Sequence, residues 1–154
     1  MSTPLQPLYR LTCGCNSYDW GKTGTSSLAA HLCSLTPGFV PDEAAPMTKF
    51  TPKDDQPYAE MWMGTYPTLP SYVLSTSEPL QGVIDRYPEE LLGKGVIEKF
   101  GHKQLPFLPK ILSAGKALQL QVHPNKEFAA KKHKEKPDQF SDPNHKPEIA
   151  LALT

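Results

Sequence analysis

The chain has 154 residues, with 16 basic and 16 acidic side chains and a formal net charge of zero, which is enough sequence for one domain. A neutral chain gives no support for a nucleic-acid partner or for binding to a membrane surface. No apolar run approaches the roughly 20 residues that cross a bilayer, and residues 1–10 lack the pattern of a signal peptide. With three cysteines, an odd number, we expect a reduced cytoplasmic protein.

The first half of the chain predicts short strands separated by turns. A strand begins at Tyr9 and leads into a loop at Trp20, and either Ser26 or Ser27 caps a short helix that ends near residue 32. Residues 37–57 are rich in Pro, Asp, Lys and Thr and predict a long loop. Because the chain contains 17 prolines without a period, β structure with irregular connections is favoured over a helical bundle.

The second half alternates between strand and helix signals. Strands are predicted within residues 57–67 and 71–76, and two short helices, broken around the glycines at 93 and 95, within residues 79–101. Residues 105–124 again indicate β structure. A helix follows with Asn125 as its N-cap and Pro137 as its stop, and its basic run, KKHKEK, predicts a solvated helix face rather than a nucleic-acid patch.

One strand of this second half carries polar side chains on one face. In the stretch LQLQVH, Gln119, Gln121 and His123 share a face, and the Leu and Val residues between them share the other, which should pack against a second layer. A last strand places Lys146 and Glu148 on a common face by the same parity and continues as an apolar alternation to residue 153. Because a domain seldom closes on such a strand, a partial chain is expected.

These polar residues allow two interpretations. Imidazole and carboxylate oxygen are common zinc ligands, and a glutamine oxygen is an unusual one, so Gln121, His123 and Glu148 form an incomplete but distinctive set. The alternative is a solvated face of an antiparallel sheet followed by a turn with an exposed ion pair. The pattern by itself does not choose between them. Cys13 and Cys15 lack the second cysteine pair that a structural zinc site needs.

Four longer segments add a family resemblance. YDWGKTG, PYAEMWMGTYP, LPFLPKILSAGKALQLQVHPNKEFA and DPNHKPEIALALT closely resemble the type I phosphomannose isomerase family, from about Leu8 to Thr154. The resemblance implies a mainly β fold, a cupin-type β-barrel or jelly roll with short helices, of which residues 1–154 are the N-terminal part. It further implies an enzyme that interconverts mannose 6-phosphate and fructose 6-phosphate and feeds GDP-mannose synthesis. Separately, we expect a monomer.

The resemblance also assigns roles to residues. It implies one Zn²⁺ per chain on Gln121, His123 and Glu148, with a fourth ligand, a histidine, and a catalytic arginine supplied from beyond residue 154. Lys146 becomes the candidate base for the proton that moves between C1 and C2 of the sugar. The matched residues at the sugar-phosphate pocket are Trp20, Glu60, Lys110 and Gln119.

Alternatives to these roles stay open. The alternative for Lys110 is a lysine whose stem covers apolar surface, and Trp20 and Trp62 are equally well explained as core anchors. Gln119 stands where many family members have a serine that helps to hold the phosphate, which puts phosphate placement in doubt. A non-catalytic cupin-like protein that binds a metal or a sugar phosphate is the alternative function, and a purely structural β domain is a third.

Overall fold

The computed structural model of the protein describes residues 3–35, 50–140 and 143–153. The chain divides into two compact units, Met1–Leu118 and Gln119–Thr154, called unit 1 and unit 2 below. Most of the predicted long loop falls in residues 36–49, outside the described residues, whereas residues 50–56 carry no helix or strand. None of the helices in the described ranges is long and apolar enough to cross a membrane.

Unit 1 contains short strands and short helices. The strands described in it are β1 Leu11–Thr12, β2 Gly14–Asn16, β3 Lys22–Thr23, β4 Pro57–Tyr58, β5 Glu60–Trp62, β6 Tyr72–Val73 and β7 Lys110–Leu112. The α-helices described in it are α1 Leu28–Ser34, α2 Leu80–Arg86, α3 Pro88–Leu91 and α4 Lys94–Phe100. All strand pairs are antiparallel: β1 with β6, β3 with β4, and β2, β5 and β7 in one three-stranded sheet.

The three-stranded sheet has two different faces. Its central register aligns Cys15 with Met61 and Met61 with Ile111, so these side chains share one face. That face packs against Ala29 and Cys33 of α1, which are fully buried. The opposite face carries the residues one position away in each strand, among them Asn16, Glu60 and Lys110. The apolar cluster against α1 therefore lies on one side of the sheet, and these polar side chains lie on the other.

A buried serine fixes the start of α1, as the sequence predicts. Ser27 is fully buried and its Oγ accepts a hydrogen bond from the Ala30 amide at 3.2 Å. The same hydroxyl donates to the carbonyl oxygen of Tyr58 at 2.8 Å. The cap thus also joins α1 to β4, which holds the helix over the apolar face.

The helical segment after β6 differs from the prediction. The structure has three helices there, not two, and Gly95 lies inside α4. Pro88 begins α3, because its fixed φ suits a first helical position and its missing amide proton ends the hydrogen bonding of α2. Gly93 has φ of 85° and precedes α4, so it is the one predicted glycine break that the structure contains.

Unit 2 contains one α-helix in its described residues, α5 Lys126–Glu135, and confirms the predicted cap. Asn125 accepts a hydrogen bond from the Phe128 amide at 2.9 Å, and the helix ends before Pro137. The basic run of the helix is partly neutralised within the helix, since Lys132 pairs with Glu135 at 2.6 Å. These contacts are those of a solvated amphipathic helix.

The two predicted strands of unit 2 are absent. Residues 117–125 and 145–153 form no β-ladder with any described residue. Leu120 and Val122 are 100% and 90% exposed, and Ile149 is equally exposed, so the predicted packing of this apolar face against a second layer was wrong for the described structure. Alternation records which side chains share a face, but a strand also needs a partner for its amide and carbonyl groups.

This architecture is consistent with part of a cupin fold, but the described residues do not form the expected barrel. The described residues form small antiparallel sheets and short helices, and they contain no closed barrel. Helices contribute more residues than strands in the described ranges, so these ranges do not confirm the mainly β character that was expected.

Candidate functional site

The polar face of the three-stranded sheet in unit 1 gathers several predicted site residues. The register aligns Asn16 with Glu60, and Trp62 with Lys110, on the side of the sheet opposite α1. Trp62 Nε1 donates to Glu60 Oε2 at 2.6 Å, and Lys110 Nζ lies 3.2 Å from the same oxygen. The Glu60 and Lys110 side chains are only 10% and 27% exposed. The structure therefore brings Glu60 and Lys110 together, as a partly buried ion pair.

Trp62 contacts both members of this ion pair. The Lys110 ammonium group stands 4.9 Å from the centroid of the indole ring, a cation–π distance. Tyr66 packs its ring edgewise on the same indole, with centroids 5.4 Å apart. The indole is thus held from two sides, and its N–H fixes one oxygen of Glu60. Trp62 is a part of the polar face and not a core anchor.

Trp20 lies in the loop after β2, in the same unit. Its ring stacks on Tyr18 with centroids 5.9 Å apart, and its carbonyl oxygen accepts from the Gly115 amide at 2.8 Å. Burial, together with the negative charge of Glu60, raises the pKa of Tyr18. The electrostatic effect of Glu60 therefore extends to the Tyr18–Trp20 stack.

In unit 2, His123, Lys146 and Glu148 meet. The Nδ1 atom of His123 is hydrogen-bonded to the main-chain carbonyl oxygen of Lys146. This bond places the proton on Nδ1, so the lone pair of Nε2 is available to a ligand. Nε2 lies 3.8 Å from Glu148 Oε2. The predicted pairing of the LQLQVH segment with residues 146–148 is therefore present, although neither segment is a strand.

This pair is close to the spacing of two zinc ligands. With zinc–nitrogen and zinc–oxygen bonds of about 2.0–2.2 Å, two ligand atoms on a tetrahedral ion lie about 3.4 Å apart, and the 3.8 Å between Nε2 and Oε2 is longer by a few tenths of an ångström. The hydrogen bond from Nδ1 to a carbonyl oxygen is the usual support of a metal-binding histidine. The described residues contain no group of three His, Cys, Asp or Glu side chains suited to a metal, so any third ligand from these residues would have to be of another type, such as an amide oxygen.

The remaining predicted residues of unit 2 are exposed. Gln119 and Gln121 make no hydrogen bond to a described residue, and Lys146 is exposed as well. An open depression in unit 2 has the His123 ring and Lys146 in its wall. Its lining residues are His123, Pro124, Ala129, Gln139, Phe140, Asn144 and Lys146.

Sequence reasoning missed two members of the polar face. Asn16 was not singled out, and Trp62 was considered only as a neighbour of the site or a core anchor. Both lie on the face of Glu60 because residues two apart in a strand share a face. The parity of Trp62 with Glu60 is visible in the sequence, whereas the alignment of Asn16 with Glu60 requires the pairing of β2 with β5.

Comparisons with known proteins agree with this description. A family model, phosphomannose isomerase type I, catalytic domain, matches residues 8–154. The chain is 45% identical over 151 residues to mannose-6-phosphate isomerase of Aspergillus fumigatus, covering 98% of this chain and 31% of the relative. It is 46% identical over 147 residues to the enzyme of Schizosaccharomyces pombe, covering 96% and 32%.

A solved structure gives the same result for the fold. A mannose 6-phosphate isomerase bound with zinc and yttrium superposes with a TM-score of 0.61 at 28% identity, covering 89% of this chain and 33% of that one. Fold and sequence together define the class as a phosphosugar isomerase catalytic domain. The chain belongs to the type I phosphomannose isomerase family. It spans about a third of the length of the curated relatives it matches.

Proposed function

We propose that this chain provides zinc ligands and sugar-binding residues of a mannose-6-phosphate isomerase, which interconverts mannose 6-phosphate and fructose 6-phosphate. The observation that carries the proposal is the His123–Glu148 pair, with Nδ1 of the histidine held by a carbonyl oxygen and Nε2 directed to the carboxylate. Family membership supports the same reaction. Residues 1–154 then form part of a cupin-like catalytic domain that acts as a monomer.

His123, Glu148 and Gln121 are the proposed ligands of one Zn²⁺ per chain. When bound, the ion supplies a Lewis acid that polarises the sugar carbonyl. The similar solved structure that is bound with zinc and yttrium supports the choice of metal. The mixed nitrogen and oxygen donor set also suits zinc. Feeding of GDP-mannose synthesis and a cytoplasmic location belong to the proposal through the family resemblance.

Lys146 is the proposed base. Aldose–ketose isomerisation moves a proton between C1 and C2, and a general base must reach that proton to within about 3 Å. Lys146 itself orients the His123 ring, because the carbonyl oxygen of Lys146 accepts the hydrogen bond from His123 Nδ1. Its amine removes the proton from one carbon and returns it to the other, so no net proton is consumed.

Trp20, Glu60, Lys110 and Gln119 are the proposed sugar-phosphate contacts. Lys110 and Glu60 form a partly buried pair that offers a cation to an anionic group and a carboxylate to hydroxyl groups. Gln119 is exposed, and its amide can donate to a phosphate oxygen.

Zinc content tests the metal part of the proposal. The purified, dialysed chain should contain about one zinc per chain by elemental analysis, and His123→Ala and Glu148→Ala should each lose it, because each variant removes one of the proposed ligands. The matched control is Glu135→Gln, which changes an exposed carboxylate of the same unit and should retain zinc. Equal zinc content in wild type and both ligand variants would show that this pair holds no metal.

Turnover tests the base. In the protein that carries this chain, Lys146→Ala should lose conversion of mannose 6-phosphate by at least about 100-fold, as expected for a lost general base, while retaining zinc. Turnover close to that of wild type would remove Lys146 from this role. Retained zinc and sugar-phosphate binding in a wild-type protein without turnover would favour the non-catalytic binding protein instead.

A further inference from the structure

The polar face of the sheet contains an amide donor without a partner. The Nδ2 atom of Asn16 is buried and has no hydrogen-bond partner among the described residues. Buried polar atoms in native structures are nearly always satisfied, so each exception requires an explanation. Asn16 stands directly opposite Glu60 in the antiparallel pair of β2 and β5, where facing Cβ atoms lie about 5 Å apart.

The two carboxylate oxygens of Glu60 differ in their contacts. The Trp62 indole and the Lys110 ammonium group both engage Oε2, at 2.6 and 3.2 Å. Oε1 has no hydrogen-bond partner among the described residues. Because two groups hold the same oxygen, the carboxylate plane is fixed and Oε1 keeps one direction. The face thus presents an unpaired donor and an unpaired acceptor on neighbouring strands.

A donor beside an acceptor matches the hydrogen-bonding character of a hydroxyl group, which accepts and donates at one oxygen. Asn16 as a residue is only half-buried, so rotation about its Cβ–Cγ bond can bring the amide nitrogen to the open side of the face. That rotation sacrifices no existing hydrogen bond of Nδ2.

We infer that Asn16 is a further substrate-binding residue, which with Glu60 recognises a sugar hydroxyl group. Asn16 Nδ2 donates to the hydroxyl oxygen, and the hydroxyl proton is donated to Glu60 Oε1. Trp62 acts as a positioning residue, since it fixes Glu60 through Oε2. The inference rests on the proposed function, because it takes the ligand to be a sugar phosphate.

The test follows the indole N–H signal of Trp62 by ¹H–¹⁵N NMR while mannose 6-phosphate is added. The chain has two tryptophans, so Trp62→Phe identifies the signal by its loss. Asn16→Leu keeps the shape of the side chain without its polar atoms, and Asn16→Asp keeps the shape without the donor. Both variants should weaken binding about tenfold, the effect of one lost hydrogen bond to a buried partner.

The Tm of the Asn16 variant distinguishes a substrate-binding role of Asn16 from a purely structural one. Asn16→Leu should keep or raise the Tm, because it removes a buried donor that lacks a partner. The control is Gln81→Met on α2, where Oε1 is also unpartnered but Nε2 donates to Asp85. This control should leave the affinity for mannose 6-phosphate unchanged. An Asn16→Leu variant that binds within twofold of wild type, or loses Tm without losing affinity, would overturn the inference.

Two further ligands identify the group that is recognised. Unphosphorylated mannose should shift the Trp62 signal with the same dependence on Asn16, whereas a response to inorganic phosphate alone that depends on Asn16 would mean that the face binds an anion and not a hydroxyl group. If wild type responds to mannose 6-phosphate but the Asn16 variants bind as tightly, only this inference fails. If wild type does not respond at all, the sugar-binding part of the proposed function fails with it.

Discussion

Unit 1 and unit 2 hold their candidate site residues in different ways. In unit 1, Glu60 and Lys110 extend from paired strands whose other face packs against the buried face of α1. In unit 2, His123 and Glu148 lie on extended segments without a ladder, and a hydrogen bond between His123 and a main-chain carbonyl oxygen joins those segments. The first arrangement is positioned by a core, the second by local polar contacts.

This difference shows what holds the candidate site residues in position before a ligand binds. A side chain on a packed sheet inherits a fixed position from the backbone, so its removal alters the site while the scaffold stays. Ligand residues on segments that bury almost no apolar surface gain their order from the bound ion, because metal binding and local folding are coupled. Substitutions that disturb packing should therefore have large effects in unit 1 and small effects in unit 2.

The largest effect is expected for Gly21→Ala in unit 1. A Cβ atom at Gly21 would stand 2.6 Å from the carbonyl carbon of Tyr58 and 2.7 Å from the amide nitrogen of Ala59, and backbone atoms cannot move aside as a side chain can. We expect a loss of about 3 kcal/mol in the free energy of unfolding. Urea unfolding followed by tryptophan fluorescence measures it, since both tryptophans lie in unit 1.

Gly95→Ala is the matched control for this substitution. Gly95 lies inside α4, and no atom stands within 4 Å of the position that its Cβ would take. Alanine there should leave the stability unchanged or raise it by up to about 1 kcal/mol, because it is the better helix former. Equal effects of the two substitutions would contradict the view that close backbone packing around Gly21 supports the sheet.

The sequence predicted the elements that depend on neighbouring residues. The caps at Ser27 and Asn125 and the strand signal at Glu60–Trp62 are local patterns, and the structure confirms each. The prediction of two strands in unit 2 was wrong because a strand needs hydrogen-bond partners from another segment of the chain. The alternation of apolar and polar residues does not show whether such a segment is present. Likewise, the prediction of two helices placed the break only at the glycines and did not use Pro88, where the structure begins α3.

The site was less predictable than the elements. The roles of Gln121, His123 and Glu148 came from family resemblance, and of these residues the structure brings His123 and Glu148 into contact. The contact of Trp62 with Glu60 follows from strand parity, but the approach of Lys110 requires β5 and β7 to pair in one register. Register between distant strands is a tertiary property, so spacing along the chain cannot give it.

The helix caps provide a second, smaller contrast between the units. Ser27→Ala removes a buried hydroxyl that serves the Ala30 amide and the Tyr58 carbonyl oxygen, and it should cost about 2 kcal/mol. Asn125→Ala exposes the Phe128 amide to water and should cost about 0.5–1 kcal/mol. Amide hydrogen exchange of α1 and α5 measures both. A larger increase in exchange over wild type for α5 than for α1 would reverse the expected order.

The smallest effect concerns pH and an ion pair of unit 1. Glu78 accepts hydrogen bonds from Arg86 and from the Thr3 amide, at 2.8 Å in both cases, and the Arg86 guanidinium is the main cause that lowers the pKa of Glu78 to about 2 from its ordinary 4.5. A lowered carboxylate pKa contributes stability above pH 4.5 that is lost as the pH falls toward 2. Because Arg86 is about one-third exposed, solvent screening reduces this contribution.

Thermal unfolding at pH 5 and at pH 2.5 measures the contribution of Glu78. The wild-type Tm should fall further between these values than the Tm of Glu78→Gln, because only the wild type has a carboxylate at position 78 that is protonated in the unfolded chain but still mostly ionised beside Arg86 in the folded one. Glu135 of unit 2 is the comparison: Lys132 lowers its pKa as well, but its side chain is 41% exposed, against 17% for Glu78. Glu135→Gln should therefore follow the wild-type pH dependence closely. A stronger effect of Glu135→Gln than of Glu78→Gln would contradict the expectation that the less exposed ion pair of unit 1 contributes more stability than the more exposed ion pair of unit 2.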